Sequence, residues 1–313
     1  MQKVQIKKTD LTVSALCMGG CPLGGYGWGD VQRKDLLDAV KTAVDIGVNF
    51  FDTADTYGLG ESERSLSEAL GNDKNKVVIT TKFGVRVENG KTFYDNSREY
   101  IFKAVEASLK RLNRDYIDLY QVHYRDGVTP LIEVMESLEK LKEQGKIRYY
   151  GLSNINENDA LEMENLPSNN FVSFQQEYSL ACRKNEKMMF GFKDKFNMTP
   201  LTWGSLGQGI LSGKYDKNCK FNSNDRRSRD IYVNFHGEKL LKNLEIVEVL
   251  KDIAKERQKS VSSVAIRWIL DYMKDSVVIV GAKSPKQITQ NAEALGWNLT
   301  EKEIRILENI SKE

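Results

Sequence analysis

Four side chains that can hold or transfer a proton stand near the ends of separate strand-like runs. Asp52 closes the run "VNFFD", and Tyr57 follows it by five residues in "DTADTYG". Lys82 closes "VVITTK", and His123 closes "IDLYQVH". Each run is short and apolar, which is typical of a strand buried on both faces. A carboxylate, a phenol, an amine and an imidazole brought to one place would form a site for proton transfer.

These four side chains would have complementary roles if they met. A tyrosine hydroxyl titrates at about 10, which is too high for ready proton transfer at neutral pH. A lysine ammonium beside Tyr57 would lower that pKa, and Asp52 would keep Lys82 charged where water is scarce. His123 would donate to a polarised oxygen or orient it. Taken singly, each residue has a plainer interpretation: a turn cap for Asp52, a surface aromatic for Tyr57, a solvated lysine for Lys82 and a core histidine for His123. Their matched positions at strand ends favour the proton-transfer site instead.

The elements between these residues predict how they are positioned. Amphipathic helical stretches separate the strand-like runs, and this alternation predicts a parallel sheet. The 313 residues fit one α/β domain over 1–313, a (β/α)8 TIM barrel with a C-terminal helix and extended loops at its C-terminal mouth. We expect the first strand at 15–20, the seventh within 197–204 and the eighth at 277–280. The polar stretch 215–237 has no clear pattern, and a connection of that length is usually functional or disordered.

Composition excludes several other classes of protein. The 46 basic and 44 acidic residues leave a net charge of +2, which argues against a nucleic-acid partner. No apolar run has the roughly 18 residues that span a bilayer, and "MQKVQIKKTD" lacks the apolar core of a signal peptide. The cysteines at 17, 21, 182 and 219 have neither zinc-site nor CxxC spacing, so we expect no metal and reduced thiols. We therefore expect a cytoplasmic protein that acts on a small molecule, in an oligomeric state that the sequence leaves open.

Four motifs in their order along the chain resemble the aldo-keto reductases: "FFDTADTYGLGESE", "VVITTK", "IDLYQVH" and "YYGLSN". The resemblance extends from about Leu16 to the end of the chain. It implies a (β/α)8 barrel, a bound NADP(H) or NAD(H), and reversible reduction of a carbonyl to an alcohol. Carried over position by position, it implies a catalytic tetrad of Asp52, Tyr57, Lys82 and His123. In that tetrad Tyr57 would be the general acid, tuned by Lys82 and Asp52, and His123 would orient the carbonyl.

The same resemblance implies where a nicotinamide cofactor would bind. Ser153, Asn154 and Gln175 would hydrogen-bond the carboxamide. Trp203, where many family members have tyrosine, would stack on the nicotinamide ring, although core packing is an alternative role. Glycines in "TWGSLGQGILSGKY" would let backbone N–H groups approach the pyrophosphate. The expected cofactor-binding residues are Gly19, Gly20, Cys21, Asp52, Ser153, Asn154, Gln175, Trp203, Gly204, Ser205, Leu206, Gly209, Gly213, Lys214, Gly281, Ala282, Lys283, Ser284, Gln287, Gln290 and Asn291.

The segment "GAKSPKQITQN" predicts which dinucleotide is preferred. Ser284 is placed to cap a helix whose capping box Gln287 would complete, and such a helix start attracts anions. Lys283 would meet the 2′-phosphate, so we predict NADP(H) as the preferred cofactor with NAD(H) usable. Gln287 stands where some family members have an arginine that stacks on the adenine. The run Arg226–Arg229 is interpreted as solvated loop charge, with a clasp over the pyrophosphate as the alternative.

Two functions from different classes remain open. The first is an NADP(H)-dependent oxidoreductase that reduces an aldehyde or ketone, with Tyr57 as general acid. The second is a cofactor-binding regulatory subunit resembling the beta subunits of potassium channels, which can also retain the tetrad. The lack of a long partner-binding segment favours the enzyme. A barrel hydrolase with paired carboxylates fits poorly, because Asp52 has Lys82 as its expected partner.

Overall fold

The computed structural model describes residues 1–25 and 27–312. Within them lie twelve strands: β1 (Lys3–Gln5), β2 (Thr12–Ser14), β3 (Leu16–Gly19), β4 (Phe50–Asp52), β5 (Val78–Phe83), β6 (Val85–Glu88), β7 (Lys91–Tyr94), β8 (Ile117–Val122), β9 (Ile147–Ser153), β10 (Phe171–Glu177), β11 (Thr199–Trp203) and β12 (Val277–Gly281). Eight of them close into a parallel barrel in the order β3, β4, β5, β8, β9, β10, β11 and β12, and β12 pairs back with β3. The closed barrel confirms the predicted (β/α)8 fold.

Ten α-helices surround the barrel within the same residues: α1 (Arg33–Asp45), α2 (Glu61–Leu70), α3 (Arg98–Leu112), α4 (Leu131–Glu143), α5 (Glu157–Glu164), α6 (Glu186–Phe196), α7 (Gly237–Arg257), α8 (Val261–Tyr272), α9 (Pro285–Ala292) and α10 (Glu301–Ile310). Hydroxyls at Ser97, Ser260, Ser284 and Thr300 each accept the backbone N–H three residues on. Such caps give partners to N–H groups that the helix itself leaves unpaired. Among the residues described, no helix is both long and apolar enough to cross a bilayer.

A short hairpin fills the end of the barrel opposite the mouth. β1 and β2 pair antiparallel, and Ile6, Leu11 and Val13 pack in one small apolar core with Cys17 and Phe50 of the barrel strands. The larger core lies between the strands and the surrounding helices. Because the hairpin occupies one end, the open end is the one where the carboxyl termini of the strands lie.

Two connections at this mouth have structure that the sequence analysis does not predict. Residues 85–94 form the β6–β7 hairpin, whose turn at Asn89 and Gly90 has positive φ at both residues, 51° and 75°. An Asn-Gly pair between two strands is a strong hairpin signal, so the information was present in the sequence. After β11, the connection 204–236 contains three short 3-10 turns, at Gly207–Ser212, Arg226–Ser228 and Val233–Phe235.

The polar stretch 215–237 is built around a buried arginine. The Arg227 guanidinium donates from Nε to Asp225 Oδ1 at 2.9 Å, and it lies 4.4 Å from the centre of the Phe221 ring. The interpretation of Arg226–Arg229 as solvated charge is therefore wrong for Arg227. An aromatic face and a carboxylate replace water around this cation.

Candidate active site

The barrel register brings the ends of neighbouring strands together. Asp52, the last residue of β4, pairs with Gly19 of β3 and with Thr80 of β5. Lys82 lies two residues beyond Thr80 on β5, and His123 directly follows β8. Tyr57 lies in the turn between β4 and α2. The four residues predicted from separate strand ends therefore share one edge of the mouth.

Lys82 and Asp52 form a buried ion pair. The Lys82 ammonium donates to both carboxylate oxygens of Asp52, at 2.7 Å each, and to the Thr53 carbonyl at 2.9 Å. These three acceptors match the three donors of an ammonium. Gln175 Nε2 donates to Asp52 Oδ2 at 2.9 Å, so a second element supports the carboxylate. The predicted partnership of Asp52 and Lys82 is therefore present.

Tyr57 is held in its protonated form by its surroundings. Burial raises the pKa of Tyr57 well above its ordinary value of 10, and the nearby Asp52 carboxylate raises it further. The Lys82 nitrogen lies 5.2 Å from the centre of the Tyr57 ring, with its donors directed at Asp52 and Thr53. The net shift of the Tyr57 pKa is therefore upward, set first by burial and then by Asp52, whereas the sequence analysis expects Lys82 to lower it. A phenol that keeps its proton is suited to donate it.

His123 is neutral and is packed against rings. Burial, followed by the Lys82 charge, lowers the pKa of the His123 imidazole well below 6.5. The edge of Tyr57 meets the imidazole at 82° with ring centres 5.7 Å apart, and Tyr124 stacks on it at 5.2 Å. A neutral imidazole carries one N–H, so His123 can donate a single hydrogen bond towards the mouth.

The three residues expected to meet a carboxamide lie together beside this group. Ser153 ends β9, and Asn154 follows it with φ of 54°. Asn154 Nδ2 donates to the His123 carbonyl at 2.9 Å and to Ser153 Oγ at 3.2 Å. One N–H of the Gln175 amide is used by Asp52, which leaves its second N–H and its oxygen for a ligand. This donor and acceptor set fits a primary amide, which is the polar group of a nicotinamide.

The remaining expected cofactor residues also follow the carboxyl ends of barrel strands. Gly19, Gly20 and Cys21 lie at the end of β3, Trp203 ends β11, and Gly281 ends β12. After Trp203 come Gly204, Ser205, Leu206, Gly209, Gly213 and Lys214, and after Gly281 come Ala282, Lys283, Ser284, Gln287, Gln290 and Asn291. Ser205 and Asn291 are buried. These segments thus begin at strand ends that open at the mouth, and the binding of a cofactor by these residues stays a prediction.

A cluster of cations stands between the first loop and the connection after β11. Lys283 Nζ, Arg226 Cζ and Arg227 Cζ lie 5.8, 5.4 and 5.9 Å from the centre of the Trp28 ring. The Lys283 ammonium also donates to the Trp28 carbonyl. Burial, followed by the Arg227 charge, lowers the pKa of Lys283 to about 8. Three cations at a helix start and a glycine-rich turn, in which Gly209 has φ of 105°, fit a ligand with several phosphates.

The start of α9 differs by one residue from the predicted capping box. Ser284 accepts the Gln287 N–H as expected, at 3.4 Å. The Gln287 side-chain oxygen, however, accepts the Lys283 N–H at 2.8 Å rather than that of Ser284. Gln287 therefore orients the backbone of Lys283, and this interaction links the cap to the cation cluster.

Residues 15–312 match the sequence model of the aldo/keto reductase family. The chain belongs to the aldo/keto reductase family. The motif resemblance, from about Leu16 to the end of the chain, covers nearly the same residues as this match. The eight-stranded barrel is therefore that of an aldo/keto reductase.

Three relatives of this aldo/keto reductase differ in what their names specify. The aldo-keto reductase yakc of Schizosaccharomyces pombe, whose name specifies NADP(+), is 33% identical over 91% of this chain and 86% of its own length. The NADH-specific methylglyoxal reductase of Escherichia coli (strain K12) is 28% identical over 100% of this chain and 99% of its own. The solved structure of the glycerol dehydrogenase AKR11B4 from Gluconobacter oxydans superposes on this chain with a TM-score of 0.88. The two sequences are 33% identical, and the match covers 98% of this chain and 94% of that one.

Two side chains near the aldo/keto reductase site, Trp28 and Tyr124, belong to none of the sequence motifs. Trp28 lies within the cation cluster, and its signal was an indole in a loop rich in glycine. Tyr124 stacks on His123, and its signal was an aromatic directly after a strand-end histidine. Neither signal is specific by itself, because single aromatics are common in loops.

Proposed function

We propose that residues 1–313 form one catalytic domain, an NADP(H)-dependent oxidoreductase that reduces an aldehyde or ketone to an alcohol with Tyr57 as general acid. The observation that carries the proposal is the placement of a protonated phenol beside a neutral imidazole and a buried ion pair. Tyr57 meets His123 at 5.7 Å between ring centres, and Lys82 lies 5.2 Å from the Tyr57 ring. Such a group can protonate an oxygen while holding it in place.

Each member of the tetrad has a distinct role in this reduction. Tyr57 transfers its proton to the carbonyl oxygen, and the resulting tyrosinate takes a proton back from solvent. His123 donates its N–H to the same oxygen and orients it. Burial, and after it Asp52, raises the pKa of Tyr57; burial, and after it Lys82, lowers the pKa of His123. A bound nicotinamide supplies the hydride that the carbonyl carbon receives.

The residues that would hold the cofactor divide into two groups. Ser153, Asn154 and the oxygen of Gln175 would meet the carboxamide, while Trp203 offers a flat indole to the ring. Lys283, in the cation cluster, would meet the phosphates. The relatives use different dinucleotides by name, NADP(+) in one and NADH in another, so the preference of this chain rests on its own residues. A half-buried ammonium favours NADP(H), because the 2′-phosphate is the group that NAD(H) lacks.

Two further observations bear on the setting and the class of this protein. The four cysteines form no disulfide within the described residues, which supports a reducing compartment such as the cytoplasm. The relatives reported above are named as reductases and a dehydrogenase, which favours an enzyme over a regulatory subunit.

Oxidation of NADPH and of NADH, followed by ultraviolet absorbance, tests the proposal. The purified protein is mixed with methylglyoxal, benzaldehyde, a methyl ketone and an open-chain sugar aldehyde. We expect turnover of at least one carbonyl, faster with NADPH. Tight binding of NADPH without turnover of any carbonyl would overturn the enzyme in favour of the regulatory subunit.

A further inference from the structure

Three rings form a column that ends on the proposed carbonyl-orienting residue. Tyr124 stacks on His123 with ring centres 5.2 Å apart and an angle of 25°. Tyr94 stacks on Tyr124 in turn, at 5.1 Å and 23°. The column therefore runs from His123, which is buried, to Tyr94, which is 46% exposed at the rim of the mouth.

The His123 imidazole depends on these rings for its orientation. Its Nδ1 atom is buried and has no hydrogen-bond partner among the described residues. Asn154 holds only the backbone carbonyl of His123. In many sites a hydrogen bond to the second ring nitrogen sets the orientation of an imidazole. Here stacking on Tyr124 and the edge contact with Tyr57 do so.

The outer ring of the column, Tyr94, is the last residue of the β6–β7 hairpin. The segment that follows it is hydrogen-bonded to the loop after β8. Asn96, just beyond the hairpin, is fully buried. Its Nδ2 donates to the Tyr124 carbonyl at 3.1 Å, and its backbone N–H donates to Asp126 Oδ2 at 2.8 Å. The Asp126 N–H returns a hydrogen bond to Asn96 Oδ1 at 2.9 Å. These bonds fix the segment that carries Tyr94 against the segment that carries Tyr124.

We propose that Tyr94 and Tyr124 are positioning residues that hold the His123 imidazole so that its N–H faces the substrate carbonyl. The proposal rests on the proposed function, because it assigns His123 the task of orienting the carbonyl. Without the outer ring, Tyr124 gains freedom to move, the imidazole gains freedom to turn, and water reaches it. Tyr94 contributes through the column rather than by touching the reacting atoms.

The charged and titratable groups around the column define what a pH experiment would report. His123 faces Lys82 from β5 and the phenol of Tyr57, and Lys82 lowers the pKa of His123. Tyr124 faces Glu177 and Tyr232 as well as Tyr94. Apart from Tyr94 itself, none of these groups is changed by replacing Tyr94. A change in the titration of His123 in a Tyr94 variant would therefore come from hydration and ring freedom.

Three hairpin variants test the proposal. Tyr94→Leu removes the outer ring, and Tyr94→Phe keeps the ring but removes the hydroxyl. Phe93→Leu is the matched control, because Phe93 is 38% exposed on the same strand and its ring meets Arg86 instead of Tyr124. Steady-state kinetics are measured with methylglyoxal, which is small, and with benzaldehyde, which is larger. The histidine rings are titrated by NMR without substrate, which is practical because the chain has only two histidines.

We expect Tyr94→Leu to lower kcat about 3- to 10-fold for both substrates with KM little changed, which is the effect of one lost ring contact. Tyr94→Phe and Phe93→Leu should match the wild type. In the NMR titration the pKa of His123 should rise towards its ordinary value in Tyr94→Leu alone.

Either of two results would overturn the positioning role. An increase in KM for benzaldehyde alone would mean that Tyr94 touches large substrates directly. An unchanged His123 titration in Tyr94→Leu would mean that the column does not control the imidazole. Because this second measurement needs no turnover, it decides the positioning role even if the proposed reductase activity fails.

Discussion

Both carboxylate oxygens of Asp52 lie 2.7 Å from the ammonium nitrogen of Lys82. Since the third Lys82 donor is taken by the Thr53 carbonyl, the ammonium has no donor left for the phenol of Tyr57. The buried ion pair therefore acts on its neighbours through charge. Asp52 raises the pKa of Tyr57, and Lys82 lowers that of His123. Both effects favour the protonation states that carbonyl reduction needs.

Replacing Tyr57 by Phe should abolish most of the reduction. The change removes only the hydroxyl, so folding and cofactor binding should survive while kcat falls by about 10²–10⁴-fold. NADPH oxidation gives the rate, and quenching of tryptophan fluorescence gives the affinity for NADPH. In the wild type, reduction should hold its rate as pH rises to about 10, because the raised pKa keeps Tyr57 protonated. Near-normal reduction by Tyr57→Phe would exclude it as the general acid.

Replacing Asp52 by Asn should shift the pH profile and weaken the fold. Without the carboxylate, the pKa of Tyr57 should fall, so reduction should begin to decline at a lower pH than in the wild type. The Lys82 ammonium would be left buried without its counter-charge, which typically costs about 3–5 kcal/mol of unfolding free energy. Urea unfolding and a pH–rate profile measure the two effects. The loss of kcat at neutral pH should be smaller than that of Tyr57→Phe, and an equal loss would mean that Asp52 takes part directly in proton transfer.

Replacing Lys283 by Ala should weaken NADPH binding selectively. A charge-assisted hydrogen bond contributes about 1.5–3 kcal/mol, so NADPH should bind about 10–150-fold more weakly, with NADH nearly unaffected. In the wild type, NADPH affinity should decline as pH rises through about 8, where Lys283 loses its proton. Fluorescence titration of both cofactors measures this. Lys286→Ala serves as a control for general loss of positive charge, because Lys286 lies only three residues along the chain and is exposed. An equal loss of affinity for NADPH and for NADH would show that Lys283 does not bind the 2′-phosphate.

Replacing Asp55 by Asn should stabilise the protein at neutral pH. Burial, followed by the Glu63 charge, raises the pKa of Asp55 to about 8, and its Oδ1 has no hydrogen-bond partner among the described residues. Because the folded-state pKa lies above that of the unfolded chain, the folded state binds more protons between about pH 4 and 8. Stability from this group should therefore be present at low pH and be lost as pH rises through 8.

Urea unfolding at pH values inside and below that range measures the Asp55 effect. We expect a gain of about 1–3 kcal/mol for Asp55→Asn near neutral pH, shrinking as the solution becomes acidic. Asp35→Asn, on the exposed first turn of α1, is the control and should change little. A destabilised Asp55→Asn at neutral pH would show that the carboxylate itself is needed in that cluster.

The sequence by itself determined the barrel and the identity of the tetrad. Short apolar runs separated by amphipathic helices specify parallel strands, and a parallel barrel gathers the carboxyl ends of its strands at one mouth. Residue types at those ends therefore predicted that Asp52, Tyr57, Lys82 and His123 would meet. The Asn-Gly pair at 89 and 90 is an equally strong signal for the turn of the β6–β7 hairpin.

Only the tertiary structure decided how these groups affect one another. The direction in which the pKa of Tyr57 moves depends on burial and on where the donors of Lys82 point, and neither follows from sequence spacing. The burial of Arg227 and the place of Trp28 among three cations likewise come from contacts between distant loops. Charge interactions and desolvation depend on distances of a few ångströms in three dimensions, so a pattern along the chain predicts which residues meet but not the protonation states that result.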